Sequence, residues 1–176
     1  IENNIVKWFC TTRGLVKFND FNWTIYNTAN SGIPGNQTQC IIIEDTIKWI
    51  GTLNNGVVKY DNSNWVNYTF QNSGLPSNNI FGITVDYLGN KWIATMFGGV
   101  AKFNSSANQW TVYNTTNSEL PNNHNNTVLT QNHIKWIGSW GGLAKYNDTS
   151  WTVFDPTNSP LPDYYVTSLS LDRTGR

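Results

Sequence analysis

Apolar and polar residues alternate with a period of two along most of the chain, in short runs broken by turns rich in glycine and asparagine. Val57-Val58-Lys59-Tyr60, Leu143-Ala144-Lys145-Tyr146, Trp110-Thr111-Val112-Tyr113 and Trp151-Thr152-Val153-Phe154 are such runs, each rich in β-branched and aromatic side chains. Asn55-Gly56, Gly98-Gly99 and Gly141-Gly142 stand between successive runs. Alternation of this kind turns one face of a strand to a core, and the Gly supplies the left-handed backbone that a hairpin turn needs. No stretch has the periodicity of an amphipathic helix. The pattern predicts an all-β protein made of hairpins.

The hairpins themselves repeat. Lys-Trp recurs at Lys7-Trp8, Lys48-Trp49, Lys91-Trp92 and Lys135-Trp136, with the Trp residues 41, 43 and 44 positions apart. A second Trp follows in each unit at Trp23, Trp65, Trp110 and Trp151, after a glycine turn at Gly14, Gly56, Gly99 and Gly142. Loops of the form Ser-x-x-Pro, ending at Pro34, Pro76, Pro121 and Pro162, join each unit to the next. Proline lacks a donor and fixes φ, which suits a crossover better than a paired strand. A period of this length with four strands is one blade of a β-propeller. The expected fold is therefore a β-propeller of four-stranded antiparallel blades, one domain over residues 1–176, with repeats at approximately 1–40, 41–82, 83–127 and 128–171. Residues 172–176 begin another blade or close the first. Val166–Leu171 has the phase of an innermost strand, which the first unit lacks, so a closed four-blade ring and part of a longer array both stay open.

These units resemble the two-component regulator propeller repeat. The likeness is strongest over Leu75-Pro76, Asp86-Tyr87-Leu88-Gly89-Asn90-Lys91-Trp92-Ile93-Ala94-Thr95 and Gly98-Gly99-Val100-Ala101-Lys102-Phe103. The resemblance implies a sensing module, since such propellers often form the periplasmic part of hybrid sensor kinases, while others sit in secreted or surface proteins. The chain departs from that pattern in the Lys before each Trp and in the shortened first hairpins at Glu44-Asp45 and Gln131-Asn132, and it carries no kinase or receiver segment.

Composition narrows the partner classes. Eleven basic and eleven acidic residues cancel, so no basic stripe points to nucleic acid and no polybasic segment to a membrane surface. No apolar run is long enough for a spanning helix, so membrane insertion is not expected. A surface of Asn, Thr and Ser with little charge is common on extracellular and periplasmic β proteins, which is the expected location. Two Cys and two His lack metal-ligand spacing, and no metal or cofactor is expected. Cys10 and Cys40 fall in columns of small residues and read as small core fillers, and His124 and His133, in Asn-rich loops, read as solvent-exposed.

A repeat also separates scaffold from site, because a residue that recurs in a column serves the fold. All eight Lys fall in two columns and read as solvated strand edges whose stems lie over aromatics. Eight of the nine Trp fill two columns and read as packing between blades. Trp140 and Phe97 break their column, where Thr12 and Asn54 stand in the other copies. The turns between second and third strands and the loops between blades emerge on one propeller face. That face collects Arg13, Asn54, Met96, Phe97, Glu119, His124, Trp140, Asp163, Tyr164 and Tyr165. Of these, Arg13, Asn54, Phe97, Trp140, Glu119, Asp163, Tyr164 and Tyr165 form the candidate ligand site. Aromatic and amide groups around one or two carboxylates suit a neutral, hydroxyl-rich ligand, a carbohydrate or a peptide. No catalytic residue is assigned. The function expected is sensor-type ligand recognition, with further propeller repeats or other domains of the same protein as partners; the alternatives are a structural or adhesive surface protein acting by protein–protein contacts or polymerisation and, third, a carbohydrate-active enzyme using Glu119 and Asp163.

Overall fold

The computed structural model describes residues 6–172; the sequence pattern over 1–5 and 173–176 lies outside the described residues. Within them the chain folds into fifteen strands and no helix. No helix is therefore long and apolar enough to cross a membrane. The first sheet holds β1 (Lys7–Thr11), β2 (Gly14–Phe18) and β3 (Trp23–Tyr26). The second holds β4 (Thr38–Glu44), β5 (Ile47–Thr52), β6 (Val57–Tyr60) and β7 (Trp65–Tyr68). The third holds β8 (Ile80–Val85), β9 (Lys91–Thr95), β10 (Gly99–Asn104) and β11 (Gln109–Tyr113). The fourth holds β12 (Asn125–Gln131), β13 (Ile134–Ser139), β14 (Gly142–Tyr146) and β15 (Trp151–Phe154).

Every sheet is an antiparallel meander, and β4 lies beside β8, β8 beside β12, and β1 beside β4. The sheets stack face to face along this row and do not close into a ring among the described residues. Val166–Leu171 forms no strand with β1; it lies against the fourth sheet, with Val166 N donating to Ser139 O at 3.0 Å. A glycine opens β2, β10 and β14, and Gly56 stands just before β6. At Gly56 (φ +79°) a Cβ would sit 2.1 Å from the carbonyl oxygen of Tyr68, and Gly99 is held the same way by Tyr113. Only glycine fits both that backbone and that approach.

The core consists of the seams between sheets. Trp49, Val57 and Leu75 from the second sheet bury against Ile80, Ile93 and Phe103 of the third. Trp92, Val100 and Leu120 do the same against Val128 and Ile137 of the fourth. The indoles of Trp8, Trp49 and Trp92 are each flanked by two lysines. Lys59 and Lys102 stand directly opposite Trp49 and Trp92 on the neighbouring strand, with Nζ 5.8 and 5.7 Å from the rings. The second cation comes from the following sheet: Lys48 over Trp8 at 5.2 Å, Lys91 over Trp49 at 5.1 Å and Lys135 over Trp92 at 5.1 Å.

This corrects one reading of the sequence. The stems and ammoniums do cover aromatics, but Lys48, Lys91 and Lys135 are buried, at 6%, 5% and 1% exposure, rather than solvated. They are tolerated there because each is also paired: Lys91 with Glu44 across the seam at 2.7 Å, Lys135 with Asp148, and Lys48 with the amide oxygen of Asn62. The second-column Trp residues also pack at seams, Trp65 against Tyr26, Trp110 against Tyr68 and Trp151 against Tyr113. Trp23 is the exception, 63% exposed on the free face of the first sheet.

The third sheet has a lock of its own. The Asp86 carboxylate accepts from Trp92 Nε1 at 2.9 Å, from Asn90 Nδ2 and N, and from Leu88 N. Burial opposes ionisation of Asp86, but these donors outweigh it and hold its carboxyl below the ordinary value of 3.8. The second and fourth sheets lack this arrangement: Gln131 accepts from Trp136 Nε1 only at 3.4 Å, and Trp49 Nε1 is buried without a partner among the described residues.

Asp86→Ala is expected to destabilise the fold by about 1–3 kcal/mol, because a buried indole N–H loses its acceptor. A folded-state pKa held low stabilises above the ordinary value and is lost as pH falls through and below it. Urea titrations should therefore separate wild type from Asp86→Ala at pH 7, and the difference should shrink as the pH falls below 3.8.

Candidate functional site

The turns between second and third strands and the crossover loops do meet on one face. Backbone bonds tie them: Gly56 N donates to Asn78 O, Gly99 N to Asn123 O and Gly142 N to Tyr164 O, at 2.9, 3.0 and 2.8 Å. Each crossover loop thus folds over the turn of the sheet before it. Its shape comes from Ser and Asn side chains, as where Asn117 Nδ2 donates to Val112 O and Ser118 Oγ to Asn114 O. The same bonds recur at Asn72, Ser73, Asn158 and Ser159.

On this common frame the third and fourth sheets carry rings where the others carry small polar groups. Phe97 meets the His124 ring edge-on, with centroids 5.0 Å apart. His124 stacks on Trp140 at 3.6 Å with planes 14° apart, and Trp140 meets Tyr165 edge-on at 5.6 Å. Four rings thus form one continuous strip across two sheets. Phe97, Trp140 and Tyr165 are exposed, at 67%, 42% and 57%, while His124 between them is buried. At the matching place on the second sheet the contact is polar, Asn54 N donating to Asn79 Oδ1 at 2.7 Å.

Burial of His124 overturns the expectation that it is solvent-exposed; His133 is exposed and rests against Tyr87. The imidazole is sandwiched because its loop residue takes the place of Asn79 beneath aromatic rather than amide neighbours. Its Nδ1 finds no partner among the described residues, and burial lowers its pKa from the ordinary 6.5. The next residue, Asn125, is fully buried, and its amide nitrogen and oxygen find no partner among the described residues.

Phe97 has a backbone cost. It lies at φ +68°, a left-handed conformation that Asn54 adopts comfortably at the same place in the second sheet but that a bulky aromatic rarely takes. A residue held there costs the fold on the order of 1–3 kcal/mol, which the surrounding contacts must offset.

The remaining candidate residues are on the same face but are not gathered to the strip by bonds of their own. Arg13, Asn54, Glu119, Asp163 and Tyr164 are exposed. Asp163 caps its own loop, accepting from Tyr165 N at 3.2 Å, and makes no bond to Glu119. Met96 is half-buried. Phe81 was not foreseen; it occupies the extra residue of a β-bulge at the start of β8, 5.9 Å from the His124 ring. Its signal was available, since Gln39 and Asn126 hold the corresponding bulges. Cys10 and Cys40 are free thiols, and burial, aided by the neighbouring Cys10, pushes the Cys40 thiol up to about 12.

No family model matches the chain, and no curated protein matches it. Solved structures do. The extracellular domain of the hybrid two component system BT3049 from B. thetaiotaomicron superposes with a TM-score of 0.81 at 22% identity, over 99% of this chain and 27% of that one. That of BT4673 from the same organism gives 0.78 at 20% identity, over 97% and 23%. Virginiamycin B lyase from Staphylococcus aureus gives 0.73 at 16% identity, over 99% and 59%. The fold is that of β-propeller blades. The four sheets are four such blades in an open arc, and the chain spans about a quarter of the first two relatives.

Two outcomes follow for the strip. Phe97→Asn is expected to stabilise the protein by about 1 kcal/mol in thermal unfolding, since Asn accepts the left-handed backbone. Because the folded-state pKa of His124 is depressed, its contribution is complete above pH 6.5 and is lost as pH falls below that value. Trp140 fluorescence should change with a midpoint below pH 6.5, and His124→Phe should abolish the change.

Proposed function

We propose that the chain is a non-enzymatic recognition module, extracellular or periplasmic, that binds a carbohydrate or peptide across the Phe97–His124–Trp140–Tyr165 strip and serves as the sensing part of a larger protein. The observation that carries this reading is the strip itself: three exposed rings, held by a buried fourth, on a turn whose backbone is strained to present one of them. Flat apolar faces bordered by amides and carboxylates match the alternating C–H and hydroxyl faces of a sugar ring, or a peptide with aromatic side chains. Arg13, Asn54, Glu119, Asp163 and Tyr164 would border the ligand. The likeness to two domains described as extracellular parts of two-component systems supports the sensing role.

Among similar structures are also enzymes, a lyase and an ancestral GH74 enzyme, and a second reading is a carbohydrate-active enzyme that uses Glu119 and Asp163.

Calorimetric titration against panels of oligosaccharides and peptides tests the proposal. One ligand class should bind, and Trp140→Ala and Phe97→Ala should each weaken it about tenfold, equivalent to about 1.4 kcal/mol. Binding unchanged in both variants would sink the assignment. Glycan turnover that disappears in Glu119→Gln would assign an enzyme instead.

A further inference from the structure

At the end of the blades opposite the aromatic strip, the second and third sheets border a cleft of about 270 Å³. Glu44 and Asp45 reach it from the β4–β5 turn, Trp49 from β5 and Lys59 from β6. Lys91 of β9 and Ser105 of the β10–β11 turn face them from the third sheet. Each of these two blades has a neighbour on both sides.

One donor in the wall of this cleft is left over. Trp49 is 2% exposed, and its Nε1 finds no partner among the described residues. The later sheets show where that N–H is directed. Trp92 Nε1 donates to Asp86 Oδ2 at 2.9 Å and Trp136 Nε1 to Gln131 Oε1 at 3.4 Å, both toward the turn between first and second strands. In the second sheet that turn is only Asp45 and Thr46, against Asp86 to Asn90 in the third, so it carries no counterpart of Asp86. Glu44 stands where Gln131 does, each paired with the Ile that opens the next strand. Its carboxylate, however, is drawn across the seam to Lys91 Nζ at 2.7 Å. A buried N–H without an acceptor is costly, and an oxygen arriving from the cleft would satisfy it.

The surrounding charges say what that oxygen belongs to. Lys59, with Nζ 5.8 Å from the Trp49 ring, makes no hydrogen bond or ion pair among the described residues. A carboxylate could take this ammonium and the indole N–H together. Glu44 and Lys91 already match one another, and the exposed Asp45 has no cation of its own among the described residues, so the lining offers one unmatched charge of each sign. A doubly charged phosphate would be repelled by Asp45 and Glu44. Lysines flank the indole, which leaves its edge and not its face to a ligand, so a sugar ring has nothing to stack on. The volume is also below the about 300–1,000 Å³ of sites for drug-sized ligands. We propose that this cleft binds a small zwitterion, a free α-amino acid, with its carboxylate on Trp49 Nε1 and Lys59 and its ammonium toward Asp45. The inference is independent of what the aromatic strip binds.

Indole N–H resonances in proton–nitrogen correlation spectra of the 176-residue chain report the contact directly. Trp49→Phe identifies the Trp49 signal by its loss. Glycine, the part common to all α-amino acids, should shift that signal saturably at fixed ionic strength while the other indoles stay in place. Acetate and methylamine, which each keep one of the two charges, should bind about tenfold more weakly. Lys59→Gln and Asp45→Asn should each weaken glycine about tenfold. Asn accepts the left-handed backbone of Asp45 (φ +50°), so a loss of binding in that variant is not a loss of fold. If Trp49→Phe does not fold, these two variants decide the matter. No saturable shift with glycine overturns the proposal, as does acetate binding as tightly as glycine. Unchanged affinity in both Lys59→Gln and Asp45→Asn overturns it too.

Discussion

The lysine–tryptophan–lysine seam is the interaction on which the rest of this structure depends. A single blade cannot bury its large face, so each needs a neighbour, and the seam decides how the neighbour sits. The indole supplies apolar area, the lysine opposite it covers one face, and the lysine of the following blade covers the other. Cation–π contacts of this kind are worth about 0.5–2 kcal/mol each, more where water is excluded. Burying the ammonium would be costly alone, and Glu44, Asn62 and Asp148 offset that cost. The seam therefore sets register as well as contributing stability: a blade shifted by one residue would lose its Trp and its cation together, and between the second and third sheets the Lys91–Glu44 pair as well.

Because the seams carry the fold, the turns on one face are free to vary. Gly56, Gly99 and Gly142 fix the path of each turn, and the crossover loops are bonded to it by backbone groups that do not depend on side-chain identity. The residue at the tip can then change from Thr12 or Asn54 to Phe97 or Trp140 without disturbing the core. The aromatic strip is built on this freedom. His124 links the two tips, its ring filling the gap that Asn79 spans with a hydrogen bond one blade earlier. Its burial makes the strip sensitive to acid, since a charged imidazole would be desolvated between Phe97 and Trp140.

How much of this was legible from the residues depended on whether a feature repeated. The Lys-Trp and glycine columns named the blade, its strands and its turns, because a period-2 pattern and a fixed repeat leave few alternatives. The breaks in a column named Phe97 and Trp140. The columns misled where a residue's environment comes from a different blade. Lys48, Lys91 and Lys135 looked like surface residues because nothing near them in sequence covers them; the cover comes from a Trp about forty residues earlier. His124 looked exposed for the same reason, and Phe81 went unnoticed because a bulge shifts the alternation by one.

Local chemistry was thus enough to determine the strands, the hairpin turns, the blade repeat and the two residues that depart from it. Each of these is settled by neighbours a few positions away: a branched residue in a pleat, a glycine at a positive φ, an asparagine capping its own loop. Only the tertiary structure decided which lysines are buried, that His124 joins Phe97 to Trp140, and that the four blades form an open arc rather than a closed ring. Those are properties of surfaces brought together from different repeats, and the angle between adjacent blades arises from how whole seams pack rather than from any one residue in them.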